Sequence, residues 1–161
     1  MRNCWPASPC RLAMSGPFFS EHYFHEPAES AFSRALGGPV DRNQILEVGG
    51  LAATRNGAGK DLVSHTPWFV LGLGYRFGLV TATRQVRHLL SKAGMEFLPI
   101  AAADRAALPQ ADQSVWGDYY ENDPITGVID FLASCQEVAT RRMAKYQVGD
   151  MLMRIRERKA G

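Results

Sequence analysis

The chain has 161 residues, the size of one domain with a single hydrophobic core. Apolar residues make up 46% and charged residues 21% of it, close to the globular average, which argues against wholesale disorder and a coiled coil. The longest apolar stretch runs from Trp68 to Leu73, far short of the roughly 20 residues needed to cross a bilayer.

The net charge of +2 is unevenly distributed along the chain. Residues 137–161 carry seven Lys/Arg against three Asp/Glu, whereas the preceding residues carry a net charge of −2. Because phosphate affinity needs a clustered basic surface, the net charge of −2 on the residues before 137 argues against a nucleic-acid partner. The basic tail has two interpretations, peripheral contact with an anionic membrane or a solvated C-terminal helix.

The cysteines and the N-terminus both bear on the cellular compartment. An odd number of cysteines (Cys4, Cys10 and Cys135), with no CxxC pair, favours a reducing compartment. The first 14 residues contain two prolines and no continuous apolar run, so they do not have the pattern of a secretory signal. We therefore expect a cytoplasmic protein.

Hydrophobic periodicity and turn residues predict the elements in chain order. Residues 1–16 are expected to be irregular, and the aromatic run 17–24 predicts a strand-like entry. The elements that follow are a helix over 26–36, a strand buried on both faces over 44–53, a helix over 60–73, a strand over 77–83, a helix over 84–93 and a strand over 97–100. This order predicts an α/β fold with a mixed sheet, in which two parallel strands are joined by a helical crossover.

We divide the chain into an irregular segment over 1–16, a folded domain over 17–130 and a basic C-terminal helix or tail over 131–161. The first strand of the domain's α/β pattern has only 44 residues before it. We therefore expect it to keep an open edge, which favours aggregation or a homodimer formed through that edge.

The glycine-rich segment between the buried strand and its helix is the most informative motif. It consists of Arg55, Asn56, Gly57, Ala58, Gly59 and Lys60. A glycine turn at a helix N-terminus leaves backbone N–H groups unpaired, and with the helix dipole they can hold a phosphate or pyrophosphate. The segment lacks the spacing of a P-loop, and a purely structural turn is the alternative.

Glu47 is a single carboxylate within the otherwise apolar strand that precedes this segment. A buried carboxylate at that position is a candidate general base. The alternative is an ion pair with Arg84 or Arg87.

Two other groups of residues are weaker candidates for a functional site. Glu21, His22, His25 and Glu26 resemble metal ligands in composition, but residues 21 and 22 of a strand would face opposite sides, so surface or packing roles are favoured. The segment Trp116–Tyr120 holds three aromatic residues, of which Tyr119 or Tyr120 could act as an acid, although packing is favoured.

An ordered series of segments resembles the bacterial thermostable hemolysin family over about residues 11–130. The segments are Phe19 to Glu29, Leu46 to Ala52, Gly57 with Gly59, Val80 to Arg87, Lys92 to Met95 and Trp116 to Tyr120. Residues 1–10 match no part of the pattern. That family is similar in fold to GNAT-type acyltransferases, so the resemblance implies a GNAT-like domain that lacks its first strands and helices.

The resemblance further implies an acyl-coenzyme A-dependent acyltransferase. Residues 55–60 would hold the pyrophosphate, and Glu47 or a water molecule would act as base beside the acyl-transfer point. Two positions depart from the acyltransferase pattern, with Thr54 where a Gln or Arg is usual and Leu90 where a tyrosine often acts as general acid. The alternatives are a membrane-perturbing protein, as the family's name implies, and a catalytically inactive remnant.

Overall fold

The computed structural model describes residues 10–11, 16–49, 58–114 and 116–146. Its centre is a five-stranded sheet in the order β1-β2-β3-β5-β4. The strands are β1 (Cys10–Arg11), β2 (Ile45–Val48), β3 (Phe77–Ala82), β4 (Leu98–Ala102) and β5 (Ile125–Asp130). The helices are α1 (Ala28–Leu36), α2 (Ala58–Gly72), α3 (Arg84–Lys92), α4 (Gln110–Gln113) and α5 (Phe131–Tyr146). Short 3-10 helices cover Phe19–Tyr23, Arg42–Gln44, Arg105–Ala107 and Tyr119–Asn122.

The sheet is mixed, which confirms the predicted α/β class. Strands β2 and β3 are parallel and α2 lies between them in the chain, as the predicted crossover requires. The β1–β2, β3–β5 and β4–β5 pairs are antiparallel. The chain reaches β4 before β5, and β5 then inserts between β3 and β4.

Strand β5 was missed by the sequence analysis. Its sequence is short but rich in β-branched residues, with Ile125, Thr126, Val128 and Ile129 directly after a proline. That enrichment is the signal that could have found it. Because β5 occupies the position beside β3, β4 pairs with β5 instead.

Alternation along the strands divides the core between the two faces of the sheet. On the first face, Ile45 and Leu79 pack with Phe18, Phe32 and other residues of the chain before β2. On the second face, α2, α3 and α5 cover the sheet, and the buried residues are Leu46, Val48, Val63, Val70, Val80, Ala82, Leu90, Met95, Ile129 and Phe131. The β2 strand is buried along its whole length.

The structure confirms that β2 is buried on both faces, and it shows that β1 covers part of the outer edge that was expected to stay open. Residues 18–32 cover the first face, and β1 pairs with the outer edge of β2 at Val48 and Glu47. Two predictions for the chain before β2 are wrong. Cys10–Arg11 is a strand within a segment that was expected to be irregular, and Phe19–Tyr23 is a 3-10 helix where a strand-like segment was expected. Leu51 and Gly50 lie outside the described residues.

Two glycines on the second face let aromatic rings lie directly against the sheet. A Cβ atom added to Gly78 would come within 2.5 Å of the Phe131 ring. One added to Gly127 would come within 2.4 Å of the Leu98 carbonyl oxygen and 2.5 Å of the Phe97 ring. Any side chain at these positions would therefore displace the ring or the neighbouring strand.

Candidate functional site

The candidate site lies where the parallel strands β2 and β3 end. Their pairing ends at Val48 and Val80 among the described residues, and α2 begins ten positions after Val48, at Ala58. In open α/β sheets, ligands bind at the carboxyl ends of parallel strands, where helix N-termini supply unpaired N–H groups. The predicted glycine segment connects this strand end to this helix start.

The described part of the glycine segment is helical. Ala58, Gly59 and Lys60 are the first three residues of α2, so the helix begins two residues before its predicted start. The first N–H groups of a helix have no acceptor within it, which is the property that the anion-site prediction requires. Arg55, Asn56 and Gly57 lie outside the described residues, and binding of an anion by the segment remains a prediction.

Glu47 is buried beneath this strand end, with 3% of its surface exposed. Its Oε1 accepts hydrogen bonds from the backbone N–H and the hydroxyl of Ser20, both at 2.7 Å. Its Oε2 accepts the backbone N–H of Phe19 at 2.9 Å. The carboxylate therefore fastens the start of the Phe19–Tyr23 3-10 helix to the sheet, a position that suits a negative charge.

The alternative pairing of Glu47 with Arg84 or Arg87 is wrong. Arg87 donates to the side chain of Asp123 at 2.8 Å and to the carbonyl oxygens of Asp123 and Ala82. Arg84 lies 3.9 Å from the same Asp123 carboxylate. The Glu47 carboxylate instead accepts hydrogen bonds from two backbone N–H groups and the Ser20 hydroxyl.

A chain of hydroxyl groups leads from Glu47 across the sheet. Ser20 Oγ lies 2.9 Å from Thr81 Oγ1, and Thr81 Oγ1 lies 2.8 Å from Thr126 Oγ1. Because the ionised carboxylate only accepts, the Ser20 hydroxyl donates to it, Thr81 donates to Ser20, and Thr126 donates to Thr81. Such a chain polarises each hydroxyl toward Glu47.

The Tyr119 side chain also contacts β3 near this strand end. Its hydroxyl donates to the backbone carbonyl of Thr81 at 2.9 Å, one residue beyond the last parallel pair. Burial, and secondarily the neighbouring Tyr120, raise the pKa of Tyr119 to about 12, so the phenol stays protonated at neutral pH. Sequence reasoning singled out Tyr119 but not this contact, since the contact depends on tertiary structure.

The aromatic residues around Tyr119 pack against one another. The ring of Trp116 lies 5.5 Å from Phe19 and 5.2 Å from Tyr119, and the Tyr23 and Tyr120 hydroxyls are 2.7 Å apart. These contacts agree with the favoured packing interpretation. A role for Tyr119 or Tyr120 as an acid remains a prediction.

Glu21 belongs to an ion-pair network that holds the chain before β2. Arg42 donates to Glu21 and to Glu29, at 2.7 and 2.8 Å. Desolvation raises the pKa of Glu21, but hydrogen bonds from Arg42 and from the N–H groups of Ala28 and Phe18 outweigh it and hold the pKa below its ordinary value. Within the described residues, no group of three or more His, Cys, Asp and Glu side chains is placed to hold a metal ion.

The fold and this strand end define a mixed α/β domain with a buried carboxylate and a helix start at the carboxyl edge of a parallel pair. The family model described as Thermostable hemolysin matches residues 2–135, and the chain belongs to the thermostable hemolysin family. The match begins at residue 2, which corrects the expectation that residues 1–10 match nothing. Comparisons with curated proteins and with solved structures gave no significant match.

Sequence reasoning missed Ser20, Thr81 and Thr126 as parts of the candidate site. The two threonines lie on adjacent strands at directly paired positions, and that pairing appears only once β5 is placed beside β3. Ser20 carried a weaker signal, since it is a small polar residue within an aromatic run.

Proposed function

We propose that this protein is an acyltransferase that uses acyl-coenzyme A as the acyl donor. The observation that carries the proposal is the parallel β2–β3 pair, with Glu47 buried at its end and α2 beginning at Ala58, within the glycine segment. The unpaired N–H groups of the α2 start, together with residues 55–60, would bind the pyrophosphate. The family's likeness in fold to GNAT-type acyltransferases supports the same donor.

In the reaction, an amine or hydroxyl of the acceptor attacks the carbonyl carbon of the thioester. The new C–N or C–O bond forms as the C–S bond breaks, and coenzyme A leaves as a thiolate that takes up a proton. The acceptor loses its own proton to Glu47 or to a water molecule. Because Glu47 is almost fully buried, that proton reaches the carboxylate through a water molecule or the Ser20 hydroxyl.

Binding of coenzyme A tests this proposal through the melting temperature. At a ligand concentration of 100 times the dissociation constant, a bound ligand adds about 2.7 kcal/mol to the free energy of unfolding. For a domain of this size, that corresponds to a shift of about 5–10 °C. The variant Gly57→Glu should abolish the shift, because it places a carboxylate where the pyrophosphate binds.

Pantetheine is the matched control ligand, since it lacks the pyrophosphate and should give a much smaller shift. The matched control variant is Glu121→Gln, which changes an exposed carboxylate and should leave the shift by coenzyme A intact. If neither coenzyme A nor any acyl derivative stabilises the wild-type protein, the acyltransferase proposal is wrong.

A further inference from the structure

A small apolar cavity lies between the second face of the sheet and the helices that cover it. Its wall includes Val48 of β2, Val80 of β3, Val63 of α2 and Leu90 of α3. Protein cores are close-packed and contain few voids, so a cavity beside a candidate site is informative. No helix of the described residues has the length and apolar character that crossing a bilayer needs, and the helices here bury apolar side chains against the sheet.

The wall of the cavity is hydrophobic. Among the described residues that line it, only Thr66 is polar, and its hydroxyl donates to the Leu62 carbonyl oxygen at 2.8 Å within α2. Leu90 is 3% exposed and contributes hydrocarbon at the position where the acyltransferase pattern often has a tyrosine. A polar ligand group would lose its water here without gaining a partner, so the cavity suits a hydrocarbon chain.

The cavity lies at the same strand end as Glu47 but on the other face of the sheet. Val48 and Val80 form the last described pair of the parallel strands, and both line the cavity. Because side chains alternate along a strand, Glu47 points to the first face, where Ser20 donates to it. A reacting group at this strand end therefore has the carboxylate on one side and a hydrocarbon cavity on the other. Helix α2, whose start is proposed to bind the pyrophosphate, contributes Val63 to the wall.

We propose that the cavity receives the acyl chain of the donor and selects short, unbranched chains. The inference rests on the proposed acyltransferase function and names the acyl group that this site accepts. The space is about 240 Å³ when its mouth is counted, but its interior accommodates only about one water-sized group. Since a methylene group is of similar size, the end of a short chain fits, whereas a longer chain must displace Val63 or Leu90.

Binding of acyl donors of increasing chain length tests the proposal on the full wild-type chain. Isothermal titration calorimetry would compare coenzyme A with its acetyl, propionyl, butyryl, hexanoyl and decanoyl thioesters. Each methylene group that enters an apolar cavity tightens binding by about fourfold. We expect the affinity to rise from coenzyme A to the propionyl or butyryl thioester and to fall about tenfold from that maximum for the decanoyl thioester. The branched isobutyryl thioester should bind more weakly than the butyryl thioester.

Two substitutions of Val63 form a matched pair, because they change the cavity in opposite directions. Val63→Ala removes both methyl groups from the wall and should make the best-bound chain about two carbons longer. Val63→Ile adds a methyl group and should make that chain about one carbon shorter. Val70 is fully buried in the same helix but lies outside the cavity wall, so Val70→Ala and Val70→Ile should leave the order of affinities unchanged.

The outcomes separate this inference from the proposed function. If coenzyme A and all its thioesters fail to bind, the acyltransferase proposal is wrong, and the inference is wrong with it. If coenzyme A binds but chain length makes no difference in the wild-type protein, only the inference is wrong. The wild-type series needs no variant, so poor folding of Val63→Ala leaves the test intact. If Val63→Ile raises the melting temperature without changing the order of affinities, the cavity is an ordinary packing defect and the inference is wrong.

Discussion

The two faces of the sheet are covered by different kinds of structure. The second face is covered by three helices, which satisfy their own backbone hydrogen bonds and contribute apolar side chains to the core. In the part of the chain that the structure describes, the first face is covered largely by short 3-10 helices and connecting segments, together with helix α1. Such irregular backbone cannot satisfy all its polar groups alone, and here side chains supply the missing partners.

Glu47 and Glu21 supply those partners on the first face. Glu47 accepts the N–H groups of Phe19 and Ser20, and Glu21 accepts those of Phe18 and Ala28. Among the described residues, the buried polar side chains Ser20, Glu47 and Thr126 lie on the first face, whereas Ser134 of α5 is the buried polar residue of the helical face. A structural role for Glu47 is compatible with the proposed chemistry, because the same bonds orient the carboxylate.

The largest expected effect separates a phenylalanine packed in the core of the first face from one exposed on a helix of the second face. Phe32 of α1 is fully buried and meets the Phe77 ring edge to face, whereas Phe69 of α2 is mostly exposed. We expect Phe32→Ala to lower the free energy of unfolding by about 3–5 kcal/mol through a cavity in the core. Phe69→Ala should change it by no more than about 0.5 kcal/mol. Urea unfolding of both variants measures the difference, and similar losses would contradict the placement of Phe32 in the core and of Phe69 at the surface.

Loss of a polar contact on the first face should lower the free energy of unfolding by a smaller amount. Glu47→Gln removes the negative charge and puts an amide NH₂ in place of one carboxylate oxygen, so an N–H group of Phe19 or Ser20 loses its acceptor. We expect the free energy of unfolding to fall by about 2 kcal/mol. Glu121→Gln, at an exposed site in the 3-10 helix Tyr119–Asn122, is the control and should be neutral. A neutral Glu47→Gln would mean that the first face is held by its apolar contacts alone.

The pH dependence of stability should show the smallest effect of the three. Because the folded protein holds the pKa of Glu21 below its ordinary value of 4.5, this carboxylate stabilises the fold above that pH. The contribution is lost as the pH falls through the lowered, folded-state pKa. The difference in unfolding free energy between wild type and Glu21→Gln should therefore be largest near neutral pH and shrink below about pH 4.5. A difference that stays constant from neutral to acidic pH would show that the carboxylate's charge does not matter.

The sequence by itself determined the elements that local patterns specify. Helix α1 begins after Pro27 and ends at Gly37, whose φ of 72° suits glycine, and Thr83 caps α3, whose end is also marked by a glycine. Sequence patterns also predicted the apolar strand β2, the crossover to β3 and the fold class. These features depend on residues close together in the chain, so their signals are local.

Only the tertiary structure decided which elements meet. The insertion of β5 beside β3 pairs Thr126 with Thr81, and folding of residues 18–32 over the first face brings Ser20 to Glu47. The partners of Glu47 are backbone N–H groups 27 and 28 positions away, and every residue carries a backbone that could have filled this role. A side-chain pattern therefore predicts a charged partner such as Arg87, while long-range packing selects the backbone of a 3-10 helix instead.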